Sequence, residues 1–477
     1  MVSPIKGRFL DKTIGNLWRA WDEFSSSTIN YISGKPRPEL PKDDLEKLML
    51  EIEECIQGIG DEASLRSRAA EIGQVYLELN QEGRSRFLVE VATRFNVDRR
   101  EINEAAANLL EVGSEMSIRI EAEEKLKNAL EPRWRSLLGR FTTLPEGVKF
   151  LVDMRAEMFS VIKKNAEVET LSNDLKSMLS AWFDIGLLEL VQIEWGSPAT
   201  LLEKLIAYES VHAIRSWDDL KNRLGSDRRC FGFFHPNMPN EPLIFVQVAL
   251  VEGISDNIGE LLDESKPAID PKDADTAIFY SISNAQRGLD GISFGNFLIK
   301  QVVEKLNKEL PNLKTFSTLS PIPGFSNWLV EQLENDSDIL LTPSDRKLLR
   351  QHSSLENDAA LLTELIAHFE KKENLAQEIV MTDLERPLMR LAVEFLCEAK
   401  GRQGRARDPV AHFHLSNGAS IERLNWAADI SSRGTKQSYG IMVNYRYRLK
   451  EIQENSSAYG ANKSIAYSAA VRSILRS

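Results

Sequence analysis

From Pro41 to Phe183 the apolar positions recur at the spacing of helices, one segment after another. Leu45, Leu48, Met49, Ile52, Cys55 and Ile56 fall at i, i+3, i+4, i+7, i+10 and i+11, which places one apolar stripe on an acidic helix. Comparable segments run over residues 63–79, 85–95, 101–110, 115–129 and 146–164. Glu82-Gly83, Asn96-Val97-Asp98 and Leu144-Pro145 read as breaks between them. The segments follow no fixed period, which argues against a solenoid. Few polar residues here have evident chemical work, so residues 1–185 are expected to form an all-α packing or oligomerisation domain. Ser33-Gly34-Lys35-Pro36-Arg37-Pro38 reads as a linker to a short N-terminal arm.

Near Leu187 the pattern changes. LELVQIEW is compatible with a strand, and a helical stretch follows over 199–224. CFGFFH (Cys230–His235), PLIFVQVAL (Pro242–Leu250), TAIFYSIS (Thr276–Ser283) and KTFSTLS (Lys314–Ser320) are short β-branched and aromatic runs bounded by Pro, Gly and Asn, and each predicts a strand. Helices are expected over 297–310 and 387–399. HFHLSNGASIERLNW reads as a hairpin turning at Asn417-Gly418, and MVNYRYRL as one more strand. The expected class is α+β multidomain: the helical domain, then an α/β domain over 186–477 with a mixed, partly antiparallel sheet.

Composition narrows the function. The chain has 477 residues, 42% apolar and 27% charged, the balance of a soluble globular protein. Lys plus Arg total 59 against 71 Asp plus Glu, a formal charge of −12, which argues against a nucleic-acid partner. A small anionic ligand stays open, because a site needs only local positive potential. Cys55, Cys230 and Cys397 form no CxxC pair and no disulfide framework, which suits a reducing compartment. No apolar run approaches the roughly 18 residues of a membrane span. The first thirty residues carry Asp11, Asp22 and Glu23 and lack the apolar core of a signal peptide. A cytoplasmic enzyme without a membrane partner is the expectation.

Candidate chemistry gathers at a few places. TAIFYSIS runs into Asn284-Ala285-Gln286-Arg287-Gly288-Leu289-Asp290-Gly291-Ile292-Ser293-Phe294-Gly295, and a helix with Ile299, Val303, Leu306 and Leu310 on one face follows. Glycines let a ligand approach the backbone amides, the helix start offers unpaired N–H groups, and Arg287 adds a fork of donors, together a seat for a diphosphate. The spacing matches neither common nucleotide loop, and a plain tight turn is the competing reading. In Ala411-His412-Phe413-His414-Leu415 the alternation puts both histidines on one strand face. Metal would need a third ligand such as Glu422 or Asp408, so none is expected, and His412 reads as a packing residue. A histidine titrating near pH 6.5 can donate a proton at neutral pH, which suits His414. His235 sits in a Pro-rich turn that either borders a pocket or is a satisfied loop. Lys400, Arg402, Arg405 and Arg407 make a solvated loop or a patch that draws in a polyanion. Asn444 and Tyr445 lie in the last strand, on faces the pattern leaves open.

Five blocks, FFHPNMPNEPLIFVQVAL, SISNAQRGLDGISFGNFLIKQV, TLSPIPGFSNWL, DPVAHFHLSNGASIERLNW and MVNYRY, stand in the order found in malonyl-CoA decarboxylases, and the chain resembles that family from Phe233 to Tyr447. The resemblance implies a helical N-terminal domain, a C-terminal domain of the GNAT superfold, and conversion of malonyl-CoA to acetyl-CoA and CO2 with no cofactor. It implies a homo-oligomer, a dimer or a tetramer built from dimers. It also implies that Ser320 and His414 are catalytic, that Asp290, Gly291, Ile292, Ser293, Phe294, Gly295 and Asn296 form the acyl-CoA phosphate loop, and that Tyr447 lies near the site. Some members carry Glu where this chain has Ser293, so a role for that carboxylate is missing here or supplied elsewhere. Decarboxylation of a malonyl thioester needs the carboxylate held, the enolate stabilised and C2 protonated. His414 is the expected proton donor and Ser320 its partner on the acceptor side. A CoA-dependent acyltransferase and a non-catalytic acyl-CoA scaffold are the alternatives, since a fold does not decide a function.

Overall fold

The computed structural model describes Trp21 and residues 36–113, 115–183, 185–292, 298–335, 341–353, 355, 357–371 and 376–476. Its first half is helical, as the periodicity predicts: α1 (Lys42–Gln57), α2 (Glu62–Glu78), α3 (Gln81–Arg94), α4 (Arg99–Glu111), α5 (Met116–Ala129), α6 (Trp134–Phe141), α7 (Gly147–Val161) and α8 (Ala166–Trp182). Asp61, Asn80 and Asp98 cap α2, α3 and α4 by accepting from Ser64 N, Gly83 N and Arg100 N. The expected break at Glu82-Gly83 is therefore the first turn of α3. Glycine is needed there because a Cβ would overlap the Pro38 carbonyl of the incoming chain. Trp21 fills the middle of this half, against Gly73, with its indole N–H donating to Pro145 O at 2.7 Å. Hairpin α4–α5 is the exception: no α4 residue is buried, and only Ala122 is in α5.

The second half is built on one mixed sheet of β1 (Glu189–Ile193), β2 (Arg228–Phe234), β3 (Ile244–Val251), β4 (Thr276–Asn284), β5 (Thr315–Thr318), β6 (Ser320–Pro321), β7 (Ser420–Asn425) and β8 (Met442–Arg446). The order is β1-β2-β3-β4-β5-β8-β6, with β7 also on β8. All pairings are antiparallel except β4 with β5. The helical stretch expected over 199–224 divides into α9 (Ala199–Tyr208) and α10 (Trp217–Arg223). Between them, buried Glu209 accepts from Val211 N and His212 N and turns the chain back over the sheet. α11 (Ile258–Leu261) and α12 (Leu298–Glu309) follow. Next come α13 (Phe325–Glu334), α14 (Pro343–Leu349), α15 (Asp358–Lys371), α16 (Ala376–Cys397) and α17 (Pro409–Ser416). α18 (Ser432–Ser438), α19 (Ile452–Asn462) and α20 (Ala469–Arg476) complete the chain order.

One hydrophobic core runs through both halves, from Leu48, Phe150 and Leu175 to Phe279, Val302 and Tyr445. Its tightest crossing is where the Val152 carbonyl of α7 meets Gly288, at a distance that leaves no room for a Cβ. That glycine is required by packing and not by a ligand. Gly288→Ala should therefore cost about 1–3 kcal/mol, the usual range for overpacking, read as a lower urea midpoint. An unchanged midpoint would show that α7 can move away.

Candidate active site

Strands β4 and β5 pair only as far as Phe279 with Thr318, and Leu319 N still donates to Phe279 O at 3.1 Å. Beyond that point they part. Pro321 has no N–H to offer a neighbour, and Ser320-Pro321 pairs with β8 instead, at Val443 and Met442. β4 continues to Asn284 along β3, with a register slip that leaves Tyr280 as an extra residue. A cavity of about 240 Å³ occupies the opening. Its walls are Phe279, Tyr280, Ile282 and Asn284 from β4, Ser320 and Pro321 from β6, Val211 from the Glu209 loop, and Pro409, Val410, Phe413 and His414 from α17. The lining is mostly apolar.

Two sequence candidates meet there. Ser320 Oγ lies 3.2 Å from His414 Nε2 and 2.9 Å from Thr318 Oγ1. His414 Nδ1 lies 2.8 Å from the Tyr447 hydroxyl, so Tyr447 joins the same chain of hydrogen bonds. The imidazole stacks on Tyr445 with ring centroids 4.5 Å apart. All of these residues are buried. Burial pushes His414 down to about 3 and both phenols well above their usual range. Burial therefore favours the neutral imidazole at pH 7, contrary to the expectation of a group titrating near 6.5. A neutral ring between a phenol and a hydroxyl can pass a proton from one nitrogen's partner to the other's.

The histidine segment is a helix and not the expected hairpin strand. Asp408 followed by Pro409 is the cap-and-first-residue signature of a helix start, and it outweighs the short alternation. Asp408 Oδ1 accepts from Ala411 N at 2.8 Å, and Oδ2 accepts from Gly324 N at 3.1 Å. One buried carboxylate thus ties the helix that carries His414 to the turn that follows Ser320. Burial raises that carboxyl to about 6, against the pull of its backbone donors. A helix also separates the two histidines. His412 turns away to Tyr459, with Nδ1 2.9 Å from its hydroxyl. Glu422 is taken by Arg446 and Arg448, so the residues weighed as metal ligands do not assemble.

The glycine-rich junction lies beyond the end of β4. Arg287 opens a 3₁₀ turn over Arg287–Leu289, and Gly291 has φ 79°, which favours glycine. The amides of Asp290 and Ile292 donate within the turn, to Arg287 O and Leu289 O at 3.0 Å each. Ser293, Phe294, Gly295 and Asn296 lie outside the described residues. His235 is buried in its turn, accepts from Asn237 N at 3.1 Å and packs on Phe183, and it does not line the cavity. Of the basic loop, Arg407 pairs with Glu331 and Lys400 donates to Cys397 O at 3.0 Å. Asn444 is fully engaged by Arg423, Asn425, Ser255 and Thr318, and so locks β8 instead of facing the cavity. Val211 escaped the sequence reading; Asn284 entered it only at the head of the glycine-rich junction, and Asp408 only as a possible metal ligand, although its position before Pro409 signals the clasp.

The profile of the malonyl-CoA decarboxylase C-terminal domain matches residues 186–477, and that of the N-terminal domain matches 95–183. The mitochondrial malonyl-CoA decarboxylase of Rattus norvegicus is 39% identical over 412 residues, 82% of each chain. That of Anser anser anser is 39% identical over 426 residues, 86% of this chain and 83% of the relative. Among solved structures, malonyl-CoA decarboxylase from Rhodopseudomonas palustris superposes with a TM-score of 0.80 at 40% identity, covering 90% of this chain and 99% of the other. The Agrobacterium vitis protein gives 0.78 at 38% identity, with the same coverage. With both domain profiles and both full-length kinds of relative in agreement, the chain belongs to the malonyl-CoA decarboxylase family.

Proposed function

We propose that this chain decarboxylates malonyl-CoA to acetyl-CoA and CO2, with Ser320 and His414 acting on the thioester enolate. The observation that carries this reading is the Ser320–His414–Tyr447 chain at the wall of a largely apolar cavity. The bond from C2 to the carboxylate breaks, its electron pair moves into the thioester as an enolate, and C2 takes up one proton. Negative charge that begins on a carboxylate ends on the thioester oxygen, where a donor such as a serine hydroxyl is commonly worth about 2.7–4 kcal/mol of barrier. Burial favours the neutral form of His414. A malonyl carboxylate beside it favours the protonated ring. The proton that C2 needs then arrives on His414 as the substrate binds, with Tyr447 holding the other ring nitrogen. Residues 290–296 take the coenzyme A phosphates, helped by the left-handed turn at Gly291.

We also read the chain as a homo-oligomer, a dimer or a tetramer built from dimers. Leu110 and Met116 on hairpin α4–α5 are 86% and 67% exposed, and Ile118, Ile120 and Leu130 are also exposed. Such a patch suits contact with a second copy. Free, buried cysteines suit a reducing compartment, the cytoplasm in our reading, although the rat and goose relatives are named mitochondrial. Among the described residues no helix is long and apolar enough to cross a membrane.

The function is tested by incubating carboxyl-labelled malonyl-CoA with the purified protein and no acceptor. Ser320→Ala should lower CO2 release by about 10²–10³-fold, and His414→Asn by at least about 10²-fold. Near-wild-type release from either variant would remove that residue from the mechanism. Transfer that appears only after an amine is added would point to an acyltransferase, and binding without turnover to a scaffold. Asp408→Ala should cost about 1 kcal/mol as a lost cap and lower kcat more than it changes KM, measured by denaturation and steady-state kinetics. Light scattering on Leu110→Glu combined with Ile118→Glu should give a smaller assembly with unchanged circular dichroism; an unchanged mass would place the interface elsewhere.

A further inference from the structure

The helical half reaches the junction after β4. Arg155 of α7 is buried, and its guanidinium donates to Gly288 O, to Asp290 O at 3.0 Å and to Ser172 O at 3.2 Å. These acceptors are backbone carbonyls and carry no formal charge. On the Phe159 ring, Arg155 sits 5.0 Å from the centroid and Arg287 5.8 Å, so one aromatic face region gathers both cations. Lys176 of α8 brings a third, with Nζ 3.1 Å from the position a Cβ on Gly291 would take. Asp290 is the acid within this group, and its carboxyl is raised by burial while Arg287 and Arg155 oppose that shift. Among these described residues, three cations face one carboxylate, in a chain whose formal total is −12.

Each part of this arrangement has a physical reason to face an anion. The carbonyls of Gly288 and Asp290 are held toward α7 by Arg155, which fixes the turn against the helical half. The ammonium of Lys176 lies directly against the backbone of Gly291, where absence of a side chain leaves the approach open. A cation on a half-buried stem beside a bare turn is well placed for a phosphate oxygen.

We infer that the helical half supplies part of the substrate's anion site: Lys176 touches a phosphate of malonyl-CoA, and Arg155 is a positioning residue that holds the 287–291 turn for it. This rests on reading the Asp290–Asn296 loop as the phosphate loop. The helical half then acts in substrate recognition as well as in packing.

The test compares malonyl-CoA with malonyl-pantetheine, which keeps the thioester and lacks every phosphate. In wild type, KM should be higher for malonyl-pantetheine. Lys176→Ala should raise KM for malonyl-CoA about five- to twentyfold, change kcat far less, and leave KM for malonyl-pantetheine where it was. Lys176→Arg should restore most of the loss. Arg155→Lys, which keeps the charge and loses the fork, should raise KM for malonyl-CoA without altering that for malonyl-pantetheine. If wild type prefers malonyl-CoA and Lys176→Ala keeps the full preference, the inference falls and the phosphate-loop reading stands. If wild type does not distinguish the two thioesters, both fall together.

Discussion

Two neighbouring strands that cannot stay paired create the site. β4 and β5 run side by side to Phe279 and Thr318, and then the residues after Leu319 turn to β8. Pro321 and Pro323 remove the amides that would have continued the ladder toward β4, so separation follows from covalent structure. Ser320 and His414 meet at that opening. β4 contributes one wall, the Ser320 turn another, and α17 closes the third side. If β4 and β5 were zipped to their ends, Ser320 would pair with β4 as well as β8, and no cavity would lie beside it.

Burial then governs the chemistry of what lines the opening. His414, Tyr445 and Tyr447 have almost no water, and each is pushed toward its neutral form. Among the described residues the cavity lining carries no charged side chain, and Asp408, next to Pro409 in that lining, is bound to two backbone amides. The site therefore holds polar groups whose protons are mobile along a chain, and little fixed charge of its own. A carboxylate placed beside His414 would favour its protonated form and so oppose the effect of burial.

Much of this was legible in the residues. Apolar periodicity located the helices of the first half, and the aromatic and β-branched runs located the strands, because both signals come from residues that bury one face. The Ser320 and His414 candidates came from block resemblance, and they stand within hydrogen-bond distance across 94 positions of sequence. What escaped was set by tertiary context. The alternation in Ala411–Leu415 suggested a strand, yet five residues are too few to outvote Asp408-Pro409 as a helix start. Val211 was hidden because its loop depends on Glu209, whose partners include Gln247 and Ser281 far along the chain. The reach of Arg155 to Gly288 spans 133 positions and carries no local pattern at all.

The crossing at Val152 and Gly288 has a consequence for how the molecule comes apart. Homology divides the chain near residue 185, but the apolar interior continues across that line without a seam. A boundary of ancestry is here not a boundary of cooperativity. Separating the halves would expose the flank of α7 and the underside of the junction together, so neither half has a finished surface of its own. Heat or denaturant should then find one melting unit, and damage in the helical half will be felt as loss of the cavity's footing.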